Sequence, residues 1–573
     1  MLTGMKHKGS LVAATLTCLA IAAVGSGQEA QPQDQSGVFG EIIDVRLVNL
    51  EIVVTDREGN RVSGLLPEDF RLLIDGEEVP IEFFTEIRNG VAMAEEGVPE
   101  GMEFVPGTTA GEAVGTSFLI FIDDFFSIAR DRNIVLDEMS LAVAAMGPKD
   151  RAAVVAFNGR DLEMLSSWTT SVEELQAVLE EARDRPSRGL QRLAERNRFD
   201  EIGQIESISE LLRQDDRQIS LETYLSPEER FYAGMLAGQV QRAVQGAAAT
   251  LRSFAAPPGR KVMLLAVGSW PFLPADFVVS DSRRLLVDDR MPSGGELFRP
   301  LTETANRLGY TLYPIDVPGF DRGNGGIAAS LAAPSGRISR DSGIADGRTA
   351  LGRNASFVRE QEAHYTLRFL AEETGGKAII NSDRRSAFQI ARQDTRSYYW
   401  LGFTPQWQGD DSYHQVEVKL SDPELEVRQR AGFLDLSRQQ ETTMVVESAL
   451  LFGAPPSGEP LRLTFGRPSK AGFRKMAVPL RIEIPLDKVA FLPLAGGVQA
   501  RLEVRVAVLD KGGSQSDIPV IPLIIDAAER PPAGRFYSYD LTLKMRREDH
   551  RAVVSVYDQA SGSMLSGTAE VSP

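Results

Sequence analysis

The run Ser117-Phe118-Leu119-Ile120-Phe121-Ile122-Asp123-Asp124-Phe125-Phe126-Ser127 constrains the fold more than any other part of the chain. Its apolar residues follow one another without a polar break and end on two carboxylates. Such a run suits a strand covered on both faces, as in a parallel sheet flanked by helices. Open α/β sheets bind ligands just beyond the carboxyl ends of their strands. The acidic pair therefore falls where such a fold places a site.

The rest of the chain supplies the alternation that a parallel sheet needs. Strand-like runs are expected at 117–123, 152–157, 262–267, 311–317 and 377–380. Helical runs are expected between them, over 131–146, 171–183, 226–256 and 357–373. Ser226-Pro227-Glu228-Glu229 opens one of these helices with an N-cap serine, a first-turn proline and acids that suit the helix dipole. Gly375-Gly376 stops another. Strands alternating with helices predict a doubly wound, Rossmann-like sheet over 116–436. Insertions are expected at 184–225, 272–295 and 320–358.

Both flanks read as β structure. Leu50, Ile52 and Val54 alternate with polar neighbours. Ile74-Asp75-Gly76-Glu77 is a two-residue hairpin signal, because Asp-Gly tolerates the positive φ of a type I′ turn. An N-terminal β module is therefore expected over 41–90, with a linker over 91–115. From 441 to 573, runs such as Leu502, Val504, Val506 and Val508, and Tyr539, Leu541, Leu543 and Met545, predict a C-terminal β-sandwich.

At 573 residues the chain exceeds what one core supports. Lys6 and Lys8, the apolar stretch Leu11 to Val24, and Gly25-Ser26-Gly27 predict a signal peptide over 1–27, followed by a flexible lead-in over 28–40. Periplasmic or secreted localisation follows, with no membrane span after cleavage. The single cysteine, Cys18, lies inside the signal, so neither disulfides nor thiolate metal sites are expected in the mature chain. A formal charge of −18 argues against nucleic acid or an anionic membrane as partner. His7, His364, His414 and His550 lack paired-histidine spacing, and no nucleophile elbow or phosphate loop is present. The expectation is accordingly no enzyme and no catalytic residues.

An ordered set of segments extends this reading. Thr55-Asp56-Arg57-Glu58-Gly59 and Gly64-Leu65-Leu66-Pro67-Glu68-Asp69-Phe70 precede the strand ending at Asp123-Asp124. Gly147-Pro148-Lys149-Asp150-Arg151 and Leu370-Ala371-Glu372-Glu373-Thr374-Gly375-Gly376 follow it. Tyr398-Tyr399-Trp400-Leu401-Gly402-Phe403-Thr404-Pro405 and Arg428-Gln429-Arg430-Ala431-Gly432-Phe433 come last. In this order, over roughly 40–436, the chain resembles the von Willebrand factor A-related family found mainly in Acidobacteria. The resemblance implies a von Willebrand A-like domain that binds other macromolecules. It also implies a metal ion-dependent adhesion site, built from Asp-x-Ser-x-Ser with a threonine and a second aspartate.

Residue by residue, that site is degenerate. Asp123 and Ser127 match, Phe125 replaces the middle serine, and Gly268-Ser269-Trp270 lacks the aspartate. Asp123 and Ser127 remain as metal ligands for Mg²⁺ or Ca²⁺, with Asp124 and Asp316 as substitutes, although two protein oxygens are few for a hard cation. No cofactor is the preferred expectation. The binding rim is expected to be an open ledge of Asp123, Asp124, Phe125, Phe126, Ser127, Ser269, Trp270 and Asp316. An exported protein-binding or adhesion-type scaffold, its partner a protein or cell-surface ligand, is the resulting expectation. An envelope hydrolase or carbohydrate-active protein, and a structural envelope component without ligand, are the alternatives.

Overall fold

A computed structural model describes residues 47–93, 109–199, 227–254, 257, 259–278, 294–318, 361–454, 460–494 and 496–573. The expected signal peptide 1–27, the lead-in 28–40 and the start of the β module lie outside the described residues. So do much of the linker 91–115 and most of the insertions 184–225, 272–295 and 320–358. The chain divides into two compact units, one over Ile42–Glu441 and one containing Thr442–Pro573.

In the first unit the strand Thr116–Asp123 occupies the middle of a five-stranded sheet. The order is Tyr310–Asp316, Arg260–Val267, Thr116–Asp123, Arg151–Phe157, Leu162–Thr169. The first four strands are parallel and the last is antiparallel. Of the run 377–380, Ile379 forms a parallel bridge to Ile315 and continues the sheet by one position. The edge strand Leu162–Thr169 was not expected, since its burial pattern is irregular rather than alternating.

Every residue of Thr116–Asp123 is buried, which is why its middle, Phe118 to Ile122, is apolar without a break. One face, with Phe118, Ile120 and Ile122, shares a core with Val135 and Met139 of the helix Ala129–Ala142, Leu179 of the helix Val172–Arg183, and Phe388 of the helix Ala387–Asp394. On the other face Phe121 and Phe157 stack with ring centroids 6.4 Å apart. The helix Pro227–Ser253 crosses there, and a Cβ on Gly246 would lie 3.0 Å from the Phe157 ring. Each fully buried Leu, Ile or Phe contributes about 1.5–3 kcal/mol, so this two-sided burial dominates the unit's stability.

The expected partition into a β module over 41–90 and an α/β domain over 116–436 is corrected by the strand pairing. Val48–Thr55 lies between Tyr398–Phe403 and Glu426–Arg428, and Phe83–Arg88 pairs with the other side of Tyr398–Phe403. Phe70–Ile74 pairs with Ser412–Leu420. Leu50, Ile52, Phe70, Leu401, Val416 and Phe433 share one apolar cluster between these two antiparallel sheets. The β layer is thus assembled from chain on both sides of the parallel sheet. Side-chain alternation marks a strand but does not name its partner, so this pairing was hidden from a local reading. The local hairpin signal did hold: Asp75 and Gly76 have φ of 53° and 86°.

In the second unit Lys475–Pro485 lies between Arg462–Phe465 and Ser469–Gly472 at one edge and Phe536–Arg546 along its length. A second sheet contains Leu492–Leu494, Gly497–Asp510, His550–Asp558 and Met564–Val571, with Val520–Ala527 also on Gly497–Asp510. Ile482 and Ile484 of the first sheet meet Leu502, Val504, Val554 and Val556 of the second in one core, so these strands form a sandwich. The helix Arg438–Phe452 spans the boundary between the units.

Asp394 ties the parallel sheet to the β layer of the first unit. It accepts from Tyr313 on the parallel sheet, Arg428 on an antiparallel strand, and Arg61. Burial pushes its carboxyl up, but Arg428 and Arg61 outweigh that effect and hold it below the ordinary carboxylate range. Asp394→Ala strands two guanidinium groups. The expected loss is about 3 kcal/mol in urea unfolding; a loss within experimental error would show that the node holds nothing.

Candidate functional site

The strand end at Asp123 is enclosed, which overturns the expected open ledge. Asp123, Phe126, Ser127 and Trp270 have no more than 0% relative exposure, and Asp124, Phe125, Ser269 and Asp316 are also buried. Two segments close over the turn that follows the strand. Arg188 N–H donates to Asp124 O at 2.7 Å and Gly189 N–H donates to Ser127 O at 3.1 Å. A Cβ on Gly189 would fall 2.3 Å from Ser127 O, so only glycine permits this approach. From the neighbouring strand, Gly268 presses on the same turn, where a Cβ would meet Phe126 and Ser127 backbone at 2.8 Å. The sequence places Ser269 and Trp270 at the rim but gives no signal that their loop, or the one carrying Gly189, folds down onto the turn.

The two acids serve separate networks. Asp123 Oδ1 accepts from the backbone N–H of Phe125 at 2.9 Å and of Phe126 at 3.2 Å. Its Oδ2 accepts from Trp270 Nε1 at 2.8 Å. Burial pushes the Asp123 carboxyl up to about 7, against the pull of the Trp270 indole and the Phe126 and Phe125 amides. Asp124 points to the other side, where Arg132 donates to Oδ1 and Arg185 Nε donates to Oδ2 at 2.9 Å. Arg132 is wholly buried and also donates to the carbonyls of Arg183 and Arg185 at 2.9 and 3.0 Å. The guanidinium groups were missed at the sequence level. They lie 8 and 61 positions away, and no motif links them to the strand.

The aromatic pair tucks in rather than forming a contact surface. Phe125 meets Phe126 edge-on at 4.9 Å, and the Arg192 guanidinium lies over the Phe125 ring at 4.7 Å. Trp270 stacks on Phe298. Asp316 belongs to a third group, with Arg384 Nη1 at 3.3 Å and His364 Nε2 at 3.6 Å. The eight expected rim residues are therefore neighbours in the fold but not one accessible site. Asp123 and Asp124 offer no solvent-facing acid–base pair.

The adhesion-site cation implied by the resemblance does not fit this strand end. Every oxygen of the Asp123 carboxylate already accepts a hydrogen bond, and a phenyl ring stands at the middle ligand position. Ser127 Oγ is buried and has no hydrogen-bond partner among the described residues. Elsewhere, Asp410, His414 and Asp435 bring one donor atom each within 4.8 Å. These groups have other work. Asp435 Oδ2 accepts from the Gln408 and Gly409 amides at 2.6 and 2.9 Å, Asp410 Oδ1 accepts from Ser412 N–H, and His414 Nδ1 lies 2.7 Å from Asp75 Oδ2. The aromatic residues Tyr398, Tyr399, Trp400 and Phe403 are also buried.

No family model matches the chain, and no curated protein matches it. Among solved structures, it is similar to a Bacteroides uniformis β-glucuronidase at 11% identity, over 21% of this chain and 13% of that one, with a TM-score of 0.14. The TFIIH p34 N-terminal domain aligns at 11% identity over 49% of this chain and 97% of that domain, with a TM-score of 0.17. The pilus adhesin SpaC from Lactobacillus rhamnosus GG aligns at 8% identity over 80% of this chain and 56% of the adhesin, with a TM-score of 0.20. The chain thus spans only a small part of the glucuronidase, and likenesses at these scores carry no functional argument.

Two outcomes test the enclosed site. Ser127→Ala removes a hydroxyl that makes no bond, so unfolding free energy should stay within about 1 kcal/mol of wild type or rise; a larger loss would reveal a ligand or partner on Ser127. The raised Asp123 value carries a pH signature. Its folded-state value lies above the unfolded one, so this stability is present in acid and lost as pH rises through about 7. Wild type should lose roughly 2 kcal/mol relative to Asp123→Asn between pH 5 and 7 in chemical denaturation; parallel curves would show that the carboxyl titrates normally.

Proposed function

We propose that the chain is an exported, non-catalytic scaffold that binds a protein or cell-surface ligand. In this reading the parallel-sheet unit is von Willebrand A-like, and its adhesion-site position has been converted into internal structure. The sheet order, with the central strand ending at Asp123 and helices on both faces, supports the comparison with that fold. The observation that carries the functional reading is the complete engagement of the Asp123 carboxylate by Phe125, Phe126 and Trp270. Held in this way, fully buried, and beside a phenyl ring instead of a hydroxyl, the carboxylate is shut off from a hydrated cation, so binding through this unit proceeds without the metal clasp. Export rests on the charged, apolar and small-residue sequence of the first segment.

Calorimetric titration of Mg²⁺, Ca²⁺ and Mn²⁺ into wild type and Asp123→Ala tests the reading. Equal heats in the two proteins are expected. A saturable signal present in wild type and lost in Asp123→Ala would reinstate the metal clasp and remove the basis for a metal-independent scaffold.

A further inference from the structure

The chain carries a formal charge of −18, yet one end of its second unit is cationic. Ser469–Gly472 and Lys475–Pro485 form a hairpin, and Phe536–Arg546 runs along its second strand with Arg546 opposite Lys475 and Lys544 opposite Ala477. This register gathers Lys470, Arg474, Lys475, Lys544, Arg546 and Arg547 at one end of the sheet, all exposed. Arg546 pairs with Asp510 at 2.8 Å and with Glu548 at 3.9 Å. The other five form no ion pair among the described residues.

Phe473 stands at the tip of the hairpin, 87% exposed. Its ring has one described neighbour of note, the Arg474 guanidinium 5.4 Å from the centroid. Arg474 holds a φ of 55°, so the turn bends sharply through a residue that is not glycine. A bare phenyl ring contributes nothing to the sandwich core and is unfavourable in water. At the same end of the sheet as these mostly unpaired cations, it matches the chemistry of an anionic bilayer surface: ammonium and guanidinium groups meet phosphates while the aromatic ring enters the headgroup–acyl boundary. A soluble polyanion without aromatic or apolar groups, such as an acidic polysaccharide, would reward the cations and leave the ring without a role. The net negative charge does not forbid this contact, because salt screens exposed charges over about 10 Å and the local sign at the hairpin governs.

We propose that the Phe473 hairpin docks the protein peripherally on anionic lipid. The inference rests on the second unit and is independent of the metal-free reading of the first. It replaces the expectation that overall charge excludes such a surface.

Co-sedimentation of the full chain with phosphatidylcholine vesicles, with and without phosphatidylglycerol, tests it. Binding should require phosphatidylglycerol. Phe473→Ala should weaken it about tenfold, and combined Lys470→Glu, Arg474→Glu and Lys475→Glu should weaken it more than about a hundredfold. Lys419→Glu, on the other unit, should leave it unchanged, and each variant should unfold at the wild-type midpoint. Equal sedimentation with both vesicle types, or none, would overturn the proposal. So would charge-dependent binding that Phe473→Ala leaves intact and heparin competes away, since that pattern belongs to an acidic polymer.

Discussion

Burying a carboxylate without compensation costs several kcal/mol, so the strand end at Asp123 and Asp124 can exist only because each acid has its own donors. Asp124 receives two guanidinium groups from separate segments, Arg132 and Arg185. Asp123 receives two amides of its own turn and the indole of Trp270 from the neighbouring loop. These bonds draw the 188–189 and 268–270 segments onto the turn, and Gly189 and Gly268 allow the contact. The closed edge of the parallel sheet follows from that requirement. What binds there in an open α/β sheet is here replaced by the protein's own loops.

The parallel core was legible because two-sided burial leaves a local mark. Phe118 to Ile122 are apolar without interruption, and the runs at 152–157, 262–267 and 311–317 fall within the strands Arg151–Phe157, Arg260–Val267 and Tyr310–Asp316 to within a residue or two. Turn chemistry was equally local, as Asp75-Gly76 shows. Pairing across hundreds of residues was not. Val48–Thr55 and Tyr398–Phe403 each read as strands, but nothing in either names the other. The error about the site has the same origin. Asp123 and Ser127 announced a position, whereas its accessibility depends on Gly189, Trp270 and Arg185, whose contacts appear only in three dimensions.

Phe125 is central to the enclosure of the strand end. The phenyl ring fills the space beneath the loops and takes the Arg192 guanidinium on its face. With the ring in place, water leaves and the Asp123 carboxyl loses its solvation, which is the main cause of its raised value. Substitution, enclosure and titration are therefore links in one chain of cause. The second unit presents the opposite arrangement, an aromatic ring held outside the core among cations at a hairpin tip.

Solvent exchange of the Trp270 indole N–H, followed by NMR, tests the enclosed strand end most directly. The indole donates to a buried carboxylate under packed loops, so its exchange should be slowed by orders of magnitude and should approach the rate set by unfolding. Exchange near the rate of a free tryptophan side chain would show an open edge at Asp123 and contradict the account.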